Sequence, residues 1–211
     1  RLKREFGFDL VIQHGTEAYK VIDQVAAAGV PVSMTIVDSP GGKAEVVDFI
    51  EQCGAELTRR GVKVHVNTDD PVTESRFFLR TTAATIRGGL DTATALKAVT
   101  LHPAQALKLD DRVGSLEPGK DADFVILSGA PFSIYTRVLE TWIDGRQVFD
   151  LANPRQRLYQ EGGFQLADSD LIPGPSAAAR PRKAVRAPEA ADGAKTPSSR
   201  SETVLVLAGR L

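Results

Sequence analysis

The stretch GVKVHVNTDDPVTESRFFLR, residues 61–80, decides the fold. Its first part, Val62 to Thr68, reads as a β-strand, and His65, Asn67 and Asp69 fall on one face of it because side chains alternate sides along a strand. The strand runs out through Asp69, Asp70 and Pro71, and a helix follows from about Thr73 to Arg87. Two more such units lie upstream. VPVSMTIV (Val30 to Val37) is a strand whose helix runs from about Lys43 to Arg60 and stops at Gly61. FDLVIQ (Phe8 to Gln13) is another, followed by a helix from Thr16 to about Ala28 with Gly29 as its stop. Strand–helix units repeating at this length imply parallel strands joined by right-handed crossovers. That is α/β architecture, either a barrel or an open doubly wound sheet.

Downstream of Gly88-Gly89 the pattern changes. Asp91 or Thr92 caps a helix through Val99, and Pro103 opens a short one ending near Leu109. From Val113 the signals are β. VGSLEPGKDADFVIL places a Pro-Gly turn between two apolar segments, and TWIDGRQVF places Asp144-Gly145 between alternating ones, a strong hairpin signal. The expected division is residues 1–110 in the strand–helix part and 111–164 in a small antiparallel β module, with Trp142 and Phe149 in its core. Residues 165–202 are rich in Ala, Pro, Arg, Ser and Lys, a composition that cannot offset the entropy of ordering it, and read as a disordered linker. TVLVLAGRL, residues 203–211, is strand-like again and reads as the opening of a following unit.

The totals exclude several classes. Of 211 residues 42% are hydrophobic, enough for one substantial core, and the net charge is −1, which argues against a nucleic-acid partner. Cys53 is the single cysteine, so neither a disulfide framework nor a cysteine-built zinc site is available, and its neighbours Phe49, Ile50 and Leu57 suggest a buried thiol. No apolar run is long enough to cross a bilayer as a helix, so no membrane partner is expected. The chain starts at Arg1 within what reads as a helix or its exit, which leaves localisation open.

Two strand ends carry candidate chemistry. Leu10, Ile12 and His14 are expected on one face, with His14 at the C-terminal tip before Gly15; Asp69 stands at the matching tip two units later. In parallel barrels the C-terminal strand ends converge on the active site. Neutral imidazole and carboxylate are both ligands for zinc-class ions. Plainer readings stand beside this one: a hydrogen-bonded structural histidine, and an Asp-Asp-Pro turn that starts a helix. His65 points inward but deeper, as a packed core histidine, and His102 reads as a helix-start residue. The SPGGK loop (Ser39 to Lys43) is placed at the mouth, where it lines a pocket or simply turns.

FGFDLVIQHGTEAYKV (residues 6–21), VNTDDPVTESRFFLR (residues 66–80) and VTLHPAQALKLDDRVGSLEPGKDADFVILSGAPFSIYTRVLETWIDGRQVFD (residues 99–150) together resemble the C-terminal portion of the amidohydrolase superfamily, most of all its imidazolonepropionase-like branch. The resemblance implies a partial (β/α)8 barrel of TIM type, with these three units as strands six to eight, plus part of a small β-sandwich. It implies one or two divalent ions, zinc first among them, at the barrel mouth. His14 matches the histidine ligand of the sixth strand. Asp69 matches the aspartate of the eighth, which touches the ion and takes the proton from its water. Asp70 orients substrate or backbone, or caps the helix; Arg76 binds a substrate carboxylate, or pairs at the rim. The implied activity is hydrolysis of non-peptide C–N bonds in a small-molecule substrate such as a cyclic amide or an N-acyl or dipeptide-like compound.

The family's His-x-His pair, its fourth-strand lysine or glutamate and its fifth-strand histidine have no counterpart here. A complete barrel takes about 250 residues. The expectation is therefore a fragment that needs a missing N-terminal barrel half and is inactive alone, the alternative being a non-catalytic remnant acting as an interaction module. An open barrel edge invites pairing, including with a second copy as a homo-oligomer. SETVLVLAGRL (residues 201–211) also resembles the opening strand of another amidohydrolase sandwich, which points to a tandem arrangement.

Overall fold

The computed structural model describes residues 1–35, 46–70 and 72–162, together with the backbone of 203–205. The order is α1 (Leu2–Phe6), α2 (Ile22–Ala28), β1 (Val32–Thr35), α3 (Cys53–Arg59), β2 (Val64–Asn67), α4 (Phe78–Arg87), α5 (Thr92–Ala98), α6 (Leu101–Ala106), β3 (Phe124–Leu127), β4 (Val138–Ile143), β5 (Arg146–Asp150), α7 (Pro154–Glu161) and β6 (Thr203–Leu205). The architecture is mixed α/β.

β1 and β2 pair in parallel, Val32 opposite Val64, Ser33 opposite His65, Met34 opposite Val66 and Thr35 opposite Asn67. Partners in a parallel ladder share a face, so the sheet is divided by chemistry. Val32, Met34, Val64 and Val66 bury against Val25 of α2, Cys53, Ala55 and Leu57 of α3, and Ala95 and Ala98 of α5. Ser33, Thr35, His65 and Asn67 make the opposite, polar face. Burial of the apolar face at about 25 cal/mol per Å² is the main force closing this layer.

The helices follow their expected stops but start late. Gly29 terminates α2 in the left-handed region at φ 58, its N–H bonded to Ala26 O. The predicted start at Thr16 gives way to a 3-10 turn over Ala18–Val21, because the Thr16 hydroxyl is spent on Thr35 O at 2.9 Å. α4 likewise opens through a 3-10 turn, Ser75–Phe77. α3 is confined to Cys53–Arg59, and the expected helix start near Lys43 lies outside the described residues, as do the SPGGK loop and residues 165–202. Pro103 is the third residue of α6 rather than its first, within the turn where a missing N–H is tolerated. Cys53 is buried as expected, and burial pushes its thiol pKa up.

β3, β4 and β5 form an antiparallel meander, and β6 pairs antiparallel with the other edge of β3. The β4–β5 hairpin turns through Asp144 and Gly145 at φ 50 and 69, the double positive φ that a two-residue hairpin of this class requires. Trp142 stacks on its register partner Phe124 with ring centroids 5.6 Å apart, so it lies half-buried on the sheet instead of deep in a core; Phe149 is half-buried too. Val125 and Leu127 are the buried residues, packed against Leu79 of α4 and Leu96 of α5, which fastens this sheet to the helices.

Two expectations need correction. The apolar segment at Val113–Leu116 is not a strand: Val113 N bonds back to Leu109 O and Asp121 N to Arg112 O, so local turns take its backbone groups. Residues 154–161, expected in the β module, are the helix α7. Asn153 caps it, its side-chain oxygen accepting from the N–H groups of Arg155 (3.0 Å) and Gln156 (3.4 Å), with Pro154 at the first position.

Candidate active site

The site grows from the end of β2 and from the segment that bridges to β1 at Ile12. β2 stops at Asn67, and two residues later Asp69 enters the left-handed region at φ 50. His14 does the same at φ 53, two residues after Ile12 bridges to Val32. Residues other than glycine seldom adopt this conformation, His and Asp more readily than most, and it persists where surroundings hold it. The two left-handed corners turn their side chains toward each other: His14 Nε2 lies 3.4 Å from Asp69 Oδ2, both side chains partly open to solvent.

The strand carrying His14 departs from expectation. Only Ile12 forms a ladder contact, and Ile12 packs on the apolar side with Val32. Leu10, Ile12 and His14 therefore do not share an inward face by simple alternation. His14 reaches Asp69 because the backbone abandons extended geometry at residue 14.

The 3.4 Å separation is long for a hydrogen bond between nitrogen and oxygen, which favours about 2.7–3.2 Å. It falls within ion-pair range and also within the spacing of two ligands on one ion. Ligands at about 2.0–2.2 Å from a tetrahedral zinc stand roughly 3.3–3.6 Å apart. Donor chemistry and spacing thus fit a zinc-class ion. Among the described residues no cluster of three or more His, Cys, Asp or Glu side chains that could hold a metal ion is present.

A polar network underlies the pair. Asn67 Nδ2 donates to Ser33 Oγ at 2.5 Å, and Thr35 Oγ1 donates to Asn67 Oδ1 at 2.8 Å. Gly15 N donates to Ser33 O at 2.9 Å, and Thr16 Oγ1 donates to Thr35 O. A Cβ at Gly15 would stand 2.3 Å from Val32 Cγ1, so only glycine lets the chain pass β1 this closely. The braces made by Ser33, Thr35 and Thr16 were not anticipated; the alternation of Ser33 and Thr35 with Val32 and Met34 was the available signal.

The other candidates are tied locally. Asp70 accepts from Ser75 N (2.9 Å) and Ser75 Oγ (2.6 Å), which holds its carboxyl below the usual carboxylate range and caps the turn leading to α4. Arg76 pairs with Glu74 at 2.5 Å and lies 4.7 Å from the Phe77 ring centroid. His65 is buried one turn of the pleat below Asn67, and its Nε2 has no hydrogen-bond partner among the described residues; burial, then the neighbouring His102, pushes its pKa down. His102 lies in the first turn of α6, where its Nδ1–H donates to Val64 O at 2.8 Å; burial lowers its pKa as well.

Residues 6–149 match the family model described as the amidohydrolase family. The chain belongs to the amidohydrolase family. A solved amidohydrolase from Thermotoga maritima MSB8 superposes with a TM-score of 0.67 at 41% identity, covering 71% of this chain and 39% of that one. Amidohydrolase tasK of Hapsidospora irregularis is 27% identical over 161 residues, 72% of this chain and 16% of that protein. N-acetylglucosamine-6-phosphate deacetylase of Bos taurus is 39% identical over 80 residues, 38% of this chain and 17% of that protein. Other curated matches carry the names adenine deaminase and imidazolonepropionase. This amidohydrolase chain thus spans about a sixth of the length of the first two curated relatives.

Proposed function

We propose that this amidohydrolase chain forms one side of the catalytic centre of a metal-dependent hydrolase acting on C–N bonds, with His14 and Asp69 as ion ligands and Asp69 as the proton carrier. The observation that carries the reading is the 3.4 Å approach of His14 Nε2 to Asp69 Oδ2. We read the parent architecture as a (β/α)8 barrel of which these are the sixth to eighth strands, within the imidazolonepropionase-like branch. Its other strands complete the ligand set; the 39% coverage of the solved neighbour supports that.

A zinc ion held by His14 and Asp69 would supply a water of pKa about 7 in place of 15.7 and a Lewis acid for the substrate oxygen. The protein's own part is proton traffic and positioning. Asp69 accepts a proton from the attacking water through its carboxylate and returns it to the leaving nitrogen, so that an amine departs instead of an amide anion. His14 would hold the ion through its imidazole. Asp70, bonded to Ser75, would fix the turn after Asp69 and orient substrate, and Arg76 would bind a substrate carboxylate. The substrate class is a cyclic amide or an N-acyl or dipeptide-like compound.

The test is zinc content and turnover of the intact enzyme on a panel of cyclic amides, N-acyl amino acids and dipeptides. Asp69→Asn is expected to lower kcat by about 10²–10⁴-fold, the range of a lost general acid–base group. His14→Ala is expected to lower bound zinc. Wild-type turnover in Asp69→Asn would overturn the assignment.

A further inference from the structure

Asn67 is the last residue of β2, two before Asp69, and its carboxamide crosses to β1 at two points, accepting from Thr35 Oγ1 and donating to Ser33 Oγ. Those residues in turn hold the segment carrying His14. Ser33 O accepts from Gly15 N, next to His14, and Thr35 O accepts from Thr16 Oγ1. One side chain thus ties the segment bearing the carboxylate to the strand that bears the imidazole segment. Ser33, Thr35 and Thr16 are buried, so these bonds face little competition from water.

We propose that Asn67 is a positioning residue that sets the distance between His14 and Asp69, acting through Ser33 and Thr35 on the backbone at Gly15 and Thr16. The inference rests on the reading of His14 and Asp69 as ion ligands. Both ligands sit in left-handed corners, which local sequence alone does not hold. Without the carboxamide, the turn at Asp69 keeps its own bonds (Val72 N to Asp69 O, Thr73 N to Thr68 O) but loses its side-chain tie to β1. The ligand pair then spreads over a wider range of separations. An apolar residue at 67 also leaves the Ser33 and Thr35 hydroxyls short of a partner.

The experiment is a Mn²⁺ titration of the 15N-labelled 211-residue chain, read as paramagnetic broadening of the backbone amide signals at residues 14–16 and 69–70, a readout suited to weak occupancy and independent of catalysis. Asn67→Ala and the near-isosteric Thr35→Val are compared with wild type, with thermal unfolding midpoints recorded in parallel. The expected result is that both variants need about tenfold more Mn²⁺ for equal broadening, the usual effect of removing a group that orients a ligand. If both variants lose thermal stability yet titrate as wild type, Asn67 is structural only and the inference is overturned. If wild type and His14→Ala broaden identically, the ion-site reading itself fails, and the inference falls with it. Should Asn67→Ala not fold, Thr35→Val alone decides, since it removes one of the two ties while leaving the Thr35 carbonyl to Thr16.

Discussion

At the scale of single residues, the two inner histidines give the chain a pH-dependent stability. His65 and His102 have pKa values pushed below the usual imidazole value, chiefly by burial. In the unfolded chain they take up protons near about pH 6.5. The folded form resists that uptake, so the unfolded state binds more protons as pH falls. By linkage their contribution is fully present above about pH 6.5 and is lost as pH drops toward the lowered folded values. The thermal midpoint is expected to fall between pH 7 and pH 5, and His65→Asn, which cannot take the proton, to fall less over the same interval. Equal slopes in the two proteins would remove His65 from this role. Gly15→Ala is a sharper perturbation. Its new methyl meets Val32 Cγ1 where β1 carries the core, so about 1–3 kcal/mol of overpacking is expected in urea unfolding. Because Gly15 adjoins His14, the same substitution is expected to weaken ion-dependent broadening at residue 14.

At the scale of elements, what was readable in the sequence follows from how local each signal is. The stops at Gly29 and Gly61 and the hairpin at Asp144-Gly145 are demands of a single left-handed turn, and the structure puts all of them at positive φ. Asp91 capping α5 through Thr94 N at 2.9 Å is equally local. The helix α7 carries such a signal in Asn153-Pro154, although its residues lie within the stretch expected as the β module. The first strand shows the opposite: FDLVIQ has strand composition, but pairing is a tertiary property, and only Ile12 obtains it. The tips themselves were legible as a pair of residue types, while the left-handed geometry that joins them was not. Two stability predictions belong here. Asn153→Ala removes both cap bonds of α7 and is expected to cost about 1 kcal/mol. Leu57→Ala empties a fully buried position between α3 and the sheet and is expected to cost about 2–5 kcal/mol, both measured by denaturant midpoints.

At the scale of the whole molecule, the division of β1 and β2 into an apolar and a polar face bears on how firmly the proposed site would hold an ion. Parallel sheets ordinarily bury both faces. Here Val32, Met34, Val64 and Val66 meet helices, whereas Ser33, Thr35 and Asn67 bond to one another on a polar face that they share with the buried His65. A tetrahedral zinc site takes four ligands, and affinity is built from their number and from how well each is held in advance. The proposed site has two ligands in this chain, His14 and Asp69. On the proposed reading, the 211-residue chain by itself is expected to bind zinc reversibly and to retain well below one ion per chain after dialysis. Elemental analysis checks this directly. Stoichiometric zinc that survives dialysis and is lost in His14→Ala would mean that donors beyond this pair complete the site within the chain itself, and the dependence on further barrel strands would have to be given up.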